Sequence, residues 1–340
     1  MPANSTANKP LWLRIVRRTL ALLTGFILLL LIVTGSLAIF YSNLPWSGGR
    51  LTLAAVFGVF GVWAVWFSYK RSVKLMFVVS WVAVAAWFAV IPPSHYRDWA
   101  IPVAVLPHAE IEGDQVTFTG YRNFEFRARR DYDPNYYERT VNLSEIESLD
   151  FIVSYWKPGP VAHTWVSFNF ENSPPVSISI EIRPEINERY DPVASIFRQY
   201  ELIYVVGDER DLIRWRTNYR DEDVYLYRIN ASKEAVRQLF EVYVERINEI
   251  YDRPEWYNLL KSNCALNIIR YANRVGREGG FDIRHLLNGW MDRYFYSVGL
   301  VDTSMPFREL RALSRVNDAA MVANEDPDFS KAIRQNLPNM

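Results

Sequence analysis

Three runs without a charged side chain, Leu20–Phe40, Leu51–Ser68 and Leu75–Ile91, fill most of the first ninety residues. Each is close to the ~17–25 residues that a bilayer-crossing helix needs. In hydrocarbon a backbone must satisfy its hydrogen bonds within its own segment, so such runs fold as membrane helices. Residues 1–91 therefore read as an anchor with transmembrane helices at about 20–40, 51–68 and 75–91.

The flanking charges give the orientation. Lys9, Arg14, Arg17 and Arg18 precede the first run, and Lys70, Arg71 and Lys74 lie between the second and third. The loop between the first two runs holds only Arg50. The positive-inside rule puts the N-terminus in the cytoplasm and everything after about Pro92 outside it. The first run is too long for a signal peptide core, and no small-x-small cleavage site precedes the second, so it reads as an anchor. In a Gram-negative cell the membrane is the inner one and the outer compartment is the periplasm.

Residues 92–300 read as one extracytoplasmic domain, with 301–340 as a C-terminal extension. Basic and acidic side chains are equal at 38 each, so no net charge draws the chain to nucleic acid. Strands are expected over 149–156 and, from period-two alternation, over 163–170 and 176–183, with Glu171–Pro175 as the turn of a hairpin between the last two. Further strands are expected over 201–206 and 224–229. Apolar residues at helical spacing follow Ser232 to about Tyr251. A second helix starts at Asn263–Cys264 and stops at Gly276. Strands followed by helices make an α+β domain with an antiparallel sheet.

Cys264 is the only cysteine, so no internal disulfide is possible. Ser262 and Asn263 are helix N-caps, which places the thiol in the first helical turn. There the free backbone N–H groups and the helix dipole favour a thiolate. A lone buried cysteine is more often inert packing than a nucleophile. A nucleophile also needs a base. Of the four histidines, His95, His108 and His285 occupy unpromising places. His163 begins a strand, on its polar face. The apolar faces of the two hairpin strands must coincide, which puts His163 opposite Arg183 or Glu181. Glu181 is then a direct or diagonal neighbour, placed to orient the imidazole as the third member of a triad. Ser179 is the alternative third group, and the Cys264 N–H is a candidate oxyanion donor. An ion pair of Glu181 with Arg183 is the plainer reading of that carboxylate. The cluster Asp208–Asp211, with Arg214 and Arg216, reads as a solvated ion-pair network, and Asp221–Asp223 as a turn. There is no glycine-rich phosphate loop and no two-histidine zinc helix, so neither a cofactor nor a metal is expected.

The phrases Ala162-His163-Thr164-Trp165-Val166-Ser167-Phe168, Ser179-Ile180-Glu181-Ile182-Arg183-Pro184-Glu185, Glu201 to Asp211, and Tyr257-Asn258 with Asn263-Cys264 resemble the Lnb N-terminal periplasmic domain family. The resemblance spans roughly 95–300. It implies a permuted papain-like, NlpC-type fold in which the strand histidine precedes the helix cysteine. The helix start is also similar to that of the lecithin:retinol acyltransferase group. The implied activity is lipoprotein N-acylation, with phospholipid and lipoprotein as substrates, Cys264 as nucleophile and His163 as base and then acid. A periplasmic thiol peptidase or amidase acting on cell-wall peptide, and a non-enzymatic envelope scaffold with a buried thiol, remain alternatives.

Overall fold

The computed structural model describes residues 10–276 and 279–339 and divides into two compact units. The first comprises the chain to Pro92 together with Phe197–Gln199. Its helices are α1 (Leu11–Phe40), α2 (Ser47–Val62, continued by a π-helical turn to Phe67) and α3 (Arg71–Ala89). All three are long and apolar enough to cross a membrane. The first begins about one-third of its length before the apolar run, so Arg14, Arg17 and Arg18 sit on its first turns. Close packing rests on small residues, as it does where lipid removes the hydrophobic drive between helices. A Cβ at Gly61 would lie 2.7 Å from Ile32 and 2.9 Å from Phe77.

The second unit, Pro93–Ile196 and Tyr200 onward, is built on one mixed sheet. Its strands are β1 (His108–Glu112), β2 (Gln115–Arg122), β5 (Tyr136–Asn142), β6 (Ile146–Tyr155), β7 (His163–Phe170), β8 (Val176–Arg183), β9 (Glu201–Gly207) and β10 (Asp223–Arg228). The short strands β3 (Glu125–Ala128) and β4 (Asp131–Asp133) form a separate ribbon. The sheet order is β1-β2-β9-β8-β7-β6-β10, with β5 on β2. Every pairing in it is antiparallel except β2 with β9. The α+β reading with an antiparallel sheet thus holds.

Two helices, α5 (Lys233–Asp252) and α6 (Cys264–Arg274), cover one face. Phe168 of β7 meets Phe240 and Tyr243 of α5 edge-on, at 5.0 and 5.6 Å between ring centres. The other face is also covered, which the alternation does not predict. Trp165, Ser167, Ser177 and Ser179 point away from α5 yet are at most 1 % exposed. The helix α4 (Glu209–Arg214) and the C-terminal helices α9 (Asn317–Val322) and α10 (Phe329–Ala332) lie over them. Leu212, Ile213, Val316, Ala320, Phe329 and Ile333 share one apolar core with Trp165, Ile203 and Val205. The remaining helices are α7 (Met291–Ser297) and α8 (Phe307–Leu313). The polar atoms of the covered strand face satisfy one another. Ser167 Oγ donates to Ser177 Oγ (2.9 Å), which also accepts from Trp165 Nε1 (3.1 Å).

This second cover corrects one sequence reading. Most of the 208–216 charges are buried rather than solvated, with Asp208 and Arg210 partly exposed, because α4 is pressed between sheet and C-terminal helices. Glu209, Asp211 and Arg214 are at most 1 % exposed. Arg122 grips Asp211 through two nitrogens, each at 2.8 Å. Arg334, beyond α10, joins Glu209 to Asp150 of β6. Burying these charges is tolerable only because each is paired and hydrogen-bonded.

Candidate active site

Asn263 caps α6: its Oδ1 accepts the Leu266 N–H at 2.8 Å. Cys264 is therefore the first helical residue, as expected, and is 4 % exposed. It opens into a cleft of about 580 Å³ that His163, Glu181, Arg216, Arg220, Glu222 and Asn288 also line.

The hairpin takes the register in which Val166 faces Ile178 and Phe168 faces Val176. Continued outward, that register sets His163 against Glu181, one of the two expected arrangements. The paired ladder stops at Val166, so the ends of β7 and β8 are free to hold side chains between them. The two alternatives for the third group both reach the imidazole. His163 Nε2 is 2.7 Å from Ser179 Oγ and 3.5 Å from Glu181 Oε1. Ser179 Oγ in turn donates to Glu181 Oε1 at 2.9 Å. The serine bridges histidine and carboxylate. With Nε2 so engaged, Nδ1 is the nitrogen left for the thiol.

The electrostatics couple the groups. Burial alone pushes the Cys264 thiol up, but the hydrogen bond and charge of His163, aided by Thr164, bring it down to about 6. Burial and Arg216 push His163 down, and the thiol and Glu181 outweigh them, so its pKa is raised. Burial raises the Glu181 carboxyl, yet His163 and Arg216 hold it well below the usual carboxylate range. Opposite shifts in thiol and imidazole favour a thiolate–imidazolium pair at neutral pH, the form that makes a cysteine nucleophilic.

Sequence reasoning missed two groups. Arg216 Nη2 donates to Glu181 Oε1 at 3.0 Å, and its Nη1 to Glu222 Oε2 at 3.3 Å. Its guanidinium lies 5.1 Å from the Trp165 ring centre. The second is Asn288, whose amide is pinned to the residue before the histidine. Ala162 N donates to Asn288 Oδ1 (3.0 Å), and Nδ2 donates to Ala162 O (2.5 Å). Nδ2 also donates to Cys264 Sγ at 3.3 Å. The adjoining Gly289 has no room for a side chain, since a Cβ would lie 2.5 Å from Gly159 O. The only sequence signal was the Asn288-Gly289 pair after Leu286-Leu287, which reads as a turn.

The remaining histidines stand elsewhere. His95 Nδ1 pairs with Arg183 at 3.2 Å, His108 begins β1 against Tyr251, and His285 is buried in a capping turn with Asp282. Among the described residues no cluster of three or more metal-ligating side chains occurs.

Residues 132–289 match the Lnb N-terminal periplasmic domain family, and they include every site residue named above. No curated protein and no solved structure matches the chain. The matched family and the three apolar helices make this a membrane protein with a periplasmic domain.

Proposed function

We propose that this chain, which belongs through residues 132–289 to the Lnb N-terminal periplasmic domain family, is a membrane-anchored cysteine acyltransferase. The reading rests on one observation: the α6 thiol, drawn down to about 6, shares a cleft with the strand histidine that lowers it. In the resting site His163 holds the proton and Cys264 the negative charge. The thiolate attacks the ester carbonyl of a membrane lipid, phospholipid being the donor the family resemblance implies. The Asn288 amide and the Cys264 N–H stabilise the oxyanion. As the carbon–oxygen bond breaks, imidazolium protonates the departing glycerol oxygen, and the acyl chain stays on sulfur as a thioester. The amine of a lipoprotein N-terminus then attacks this carbonyl. His163 takes the amine proton, the carbon–sulfur bond breaks, and the thiolate returns. Ser179 and Glu181 hold the imidazole in orientation and stabilise its charged form.

The permuted papain-like arrangement, strand histidine before helix cysteine, suits this chemistry. The N-terminus is cytoplasmic, and the chain's membrane is the inner one, which keeps the domain tethered to its lipid substrates. The test is intact-mass analysis of the full chain incubated with phospholipid vesicles. A gain of one acyl chain is expected, absent in Cys264→Ala and His163→Ala. Cleavage of cell-wall peptides with no acyl adduct would replace the proposal with a thiol hydrolase. Failure of Cys264 to react with iodoacetamide would favour a scaffold.

A further inference from the structure

The lining of the cleft is cationic beyond what the catalytic groups need. Arg129, Arg216 and Arg220 line it, against the two carboxylates Glu181 and Glu222. Glu181 is committed to Ser179, His163 and Arg216. Glu222 is shared three ways: by Ser154 Oγ (2.6 Å), Arg216 (3.3 Å) and Arg220 (2.5 Å). The thiolate and imidazolium cancel, so the cleft retains one net positive charge.

That surplus sits on Arg220 and Arg129. The Arg220 guanidinium lies 4.5 Å from the Trp215 ring centre, which fixes its plane. Its Nη2 holds Glu222, but Nε has no hydrogen-bond partner among the described residues. Burial and repulsion from Arg216 and Arg129 hold Arg220 below its usual range, as befits a cation short of counter-charge. Arg129 is exposed and forms no ion pair among the described residues. The same cleft is also lined by the apolar or aromatic side chains Trp156, Val161, Tyr190 and Leu259. A guanidinium surplus that shares one cleft with apolar groups and a nucleophile matches a ligand with an anionic phosphodiester and hydrocarbon attached to one ester.

We infer that Arg220 and Arg129, backed by Arg216, form a phosphodiester subsite that selects a glycerophospholipid headgroup while Cys264 attacks the neighbouring acyl ester. This deepens the acyltransferase reading and rests on it for the identity of the ester. It assigns to these arginines the choice of a phosphate-bearing donor over a neutral diacylglycerol.

Two readouts on the full chain in nanodiscs test it. In the first, thioester formation on Cys264 is followed by intact mass with phosphatidylglycerol or the matching diacylglycerol. Phosphatidylglycerol should react at least about tenfold faster, and Arg220→Gln or the exposed Arg129→Gln should each collapse that preference by roughly tenfold, the value of a charge-assisted contact. Equal rates with the two lipids, or a preference that survives both substitutions, overturns the subsite. In the second, soluble glycerophosphoglycerol should slow iodoacetamide labelling of Cys264, and the effect should be lost in Arg220→Gln. No protection overturns the subsite without any turnover being needed. Equal protection by inorganic phosphate overturns the headgroup assignment in favour of a free anion. Protection with no thioester from either lipid retains the subsite and overturns the acyltransferase reading.

Discussion

Asn288 Nδ2 lies 3.3 Å from Cys264 Sγ, and the same amide is locked by two hydrogen bonds to Ala162, the residue before His163. One side chain thus ties the nucleophile to the strand that carries its base. A donor held in place before the reaction needs no reorganisation as charge develops, which is why such groups matter in acyl transfer. Asn288→Ala should cut thioester formation on the order of a hundredfold. It should also move the acid limb of Cys264 alkylation to higher pH, because the thiolate loses a donor. A profile superimposable on wild type would show that the amide only braces the loop.

The coupled thiol and imidazole give a pH signature. The thiol is brought down to about 6, so iodoacetamide labelling should rise through that pH and be flat by pH 8. His163→Ala removes the main stabilising group and leaves the burial. The labelling midpoint should then climb to or above the ordinary thiol value of about 8.5. Acyl transfer needs imidazolium as well as thiolate. Its rate should therefore fall again at high pH as His163 loses its proton, giving a bell. A wild-type labelling midpoint between 8 and 9 would contradict the ion pair.

The serine bridge separates two roles that sequence reasoning left as alternatives. Ser179→Ala leaves Glu181 within 3.5 Å of His163, so activity should fall only about tenfold. Glu181→Gln removes the charge that holds imidazolium and leaves Arg216 with Glu222 alone. It should cost roughly a hundredfold or more in activity, and about 2 kcal/mol in stability from the weakened ion pair. The pH profile discriminates: only Glu181→Gln should lower the basic limb, since only it removes negative charge from His163. If Ser179→Ala is the more damaging change, the hydroxyl rather than the carboxylate orients the ring.

Much of this architecture is legible in the chain because it is local. Alternation fixes β7 and β8 to the residue, a capping asparagine fixes the start of α6, and parity fixes which residues face His163. Groups brought in from a distance are not legible. Asn288 reaches Cys264 through an irregular turn with no periodic signal, and Arg216 lies in a π-helical turn after α4. The covered polar face of β7 failed for a related reason. Alternation reports polarity, not exposure, and serines that bond one another can be buried as readily as leucines. The C-terminal helices that bury them are short, so their apolar residues show little periodicity.

Glu201 gives a prediction away from the cleft. It is 1 % exposed; Oε1 accepts from Ser94 N–H and pairs with Arg97, each at 3.0 Å, while Oε2 has no hydrogen-bond partner among the described residues. Burial outweighs Arg97, with Glu185 opposing the charge as well, and pushes the carboxyl up to about 7. Arg183 and His95 are the other charged or titratable groups nearby. A carboxyl whose folded pKa is raised binds its proton more tightly folded than unfolded. Its stabilising contribution is full below the unfolded value of about 4.3 and is lost as pH rises through the folded one. The span corresponds to about 4 kcal/mol. The melting temperature of the full chain in detergent should therefore decline between pH 5 and 8. Glu201→Gln keeps an acceptor for Ser94 but cannot ionise, so it should flatten that decline. A decline of equal steepness in the variant would assign the pH dependence to other groups.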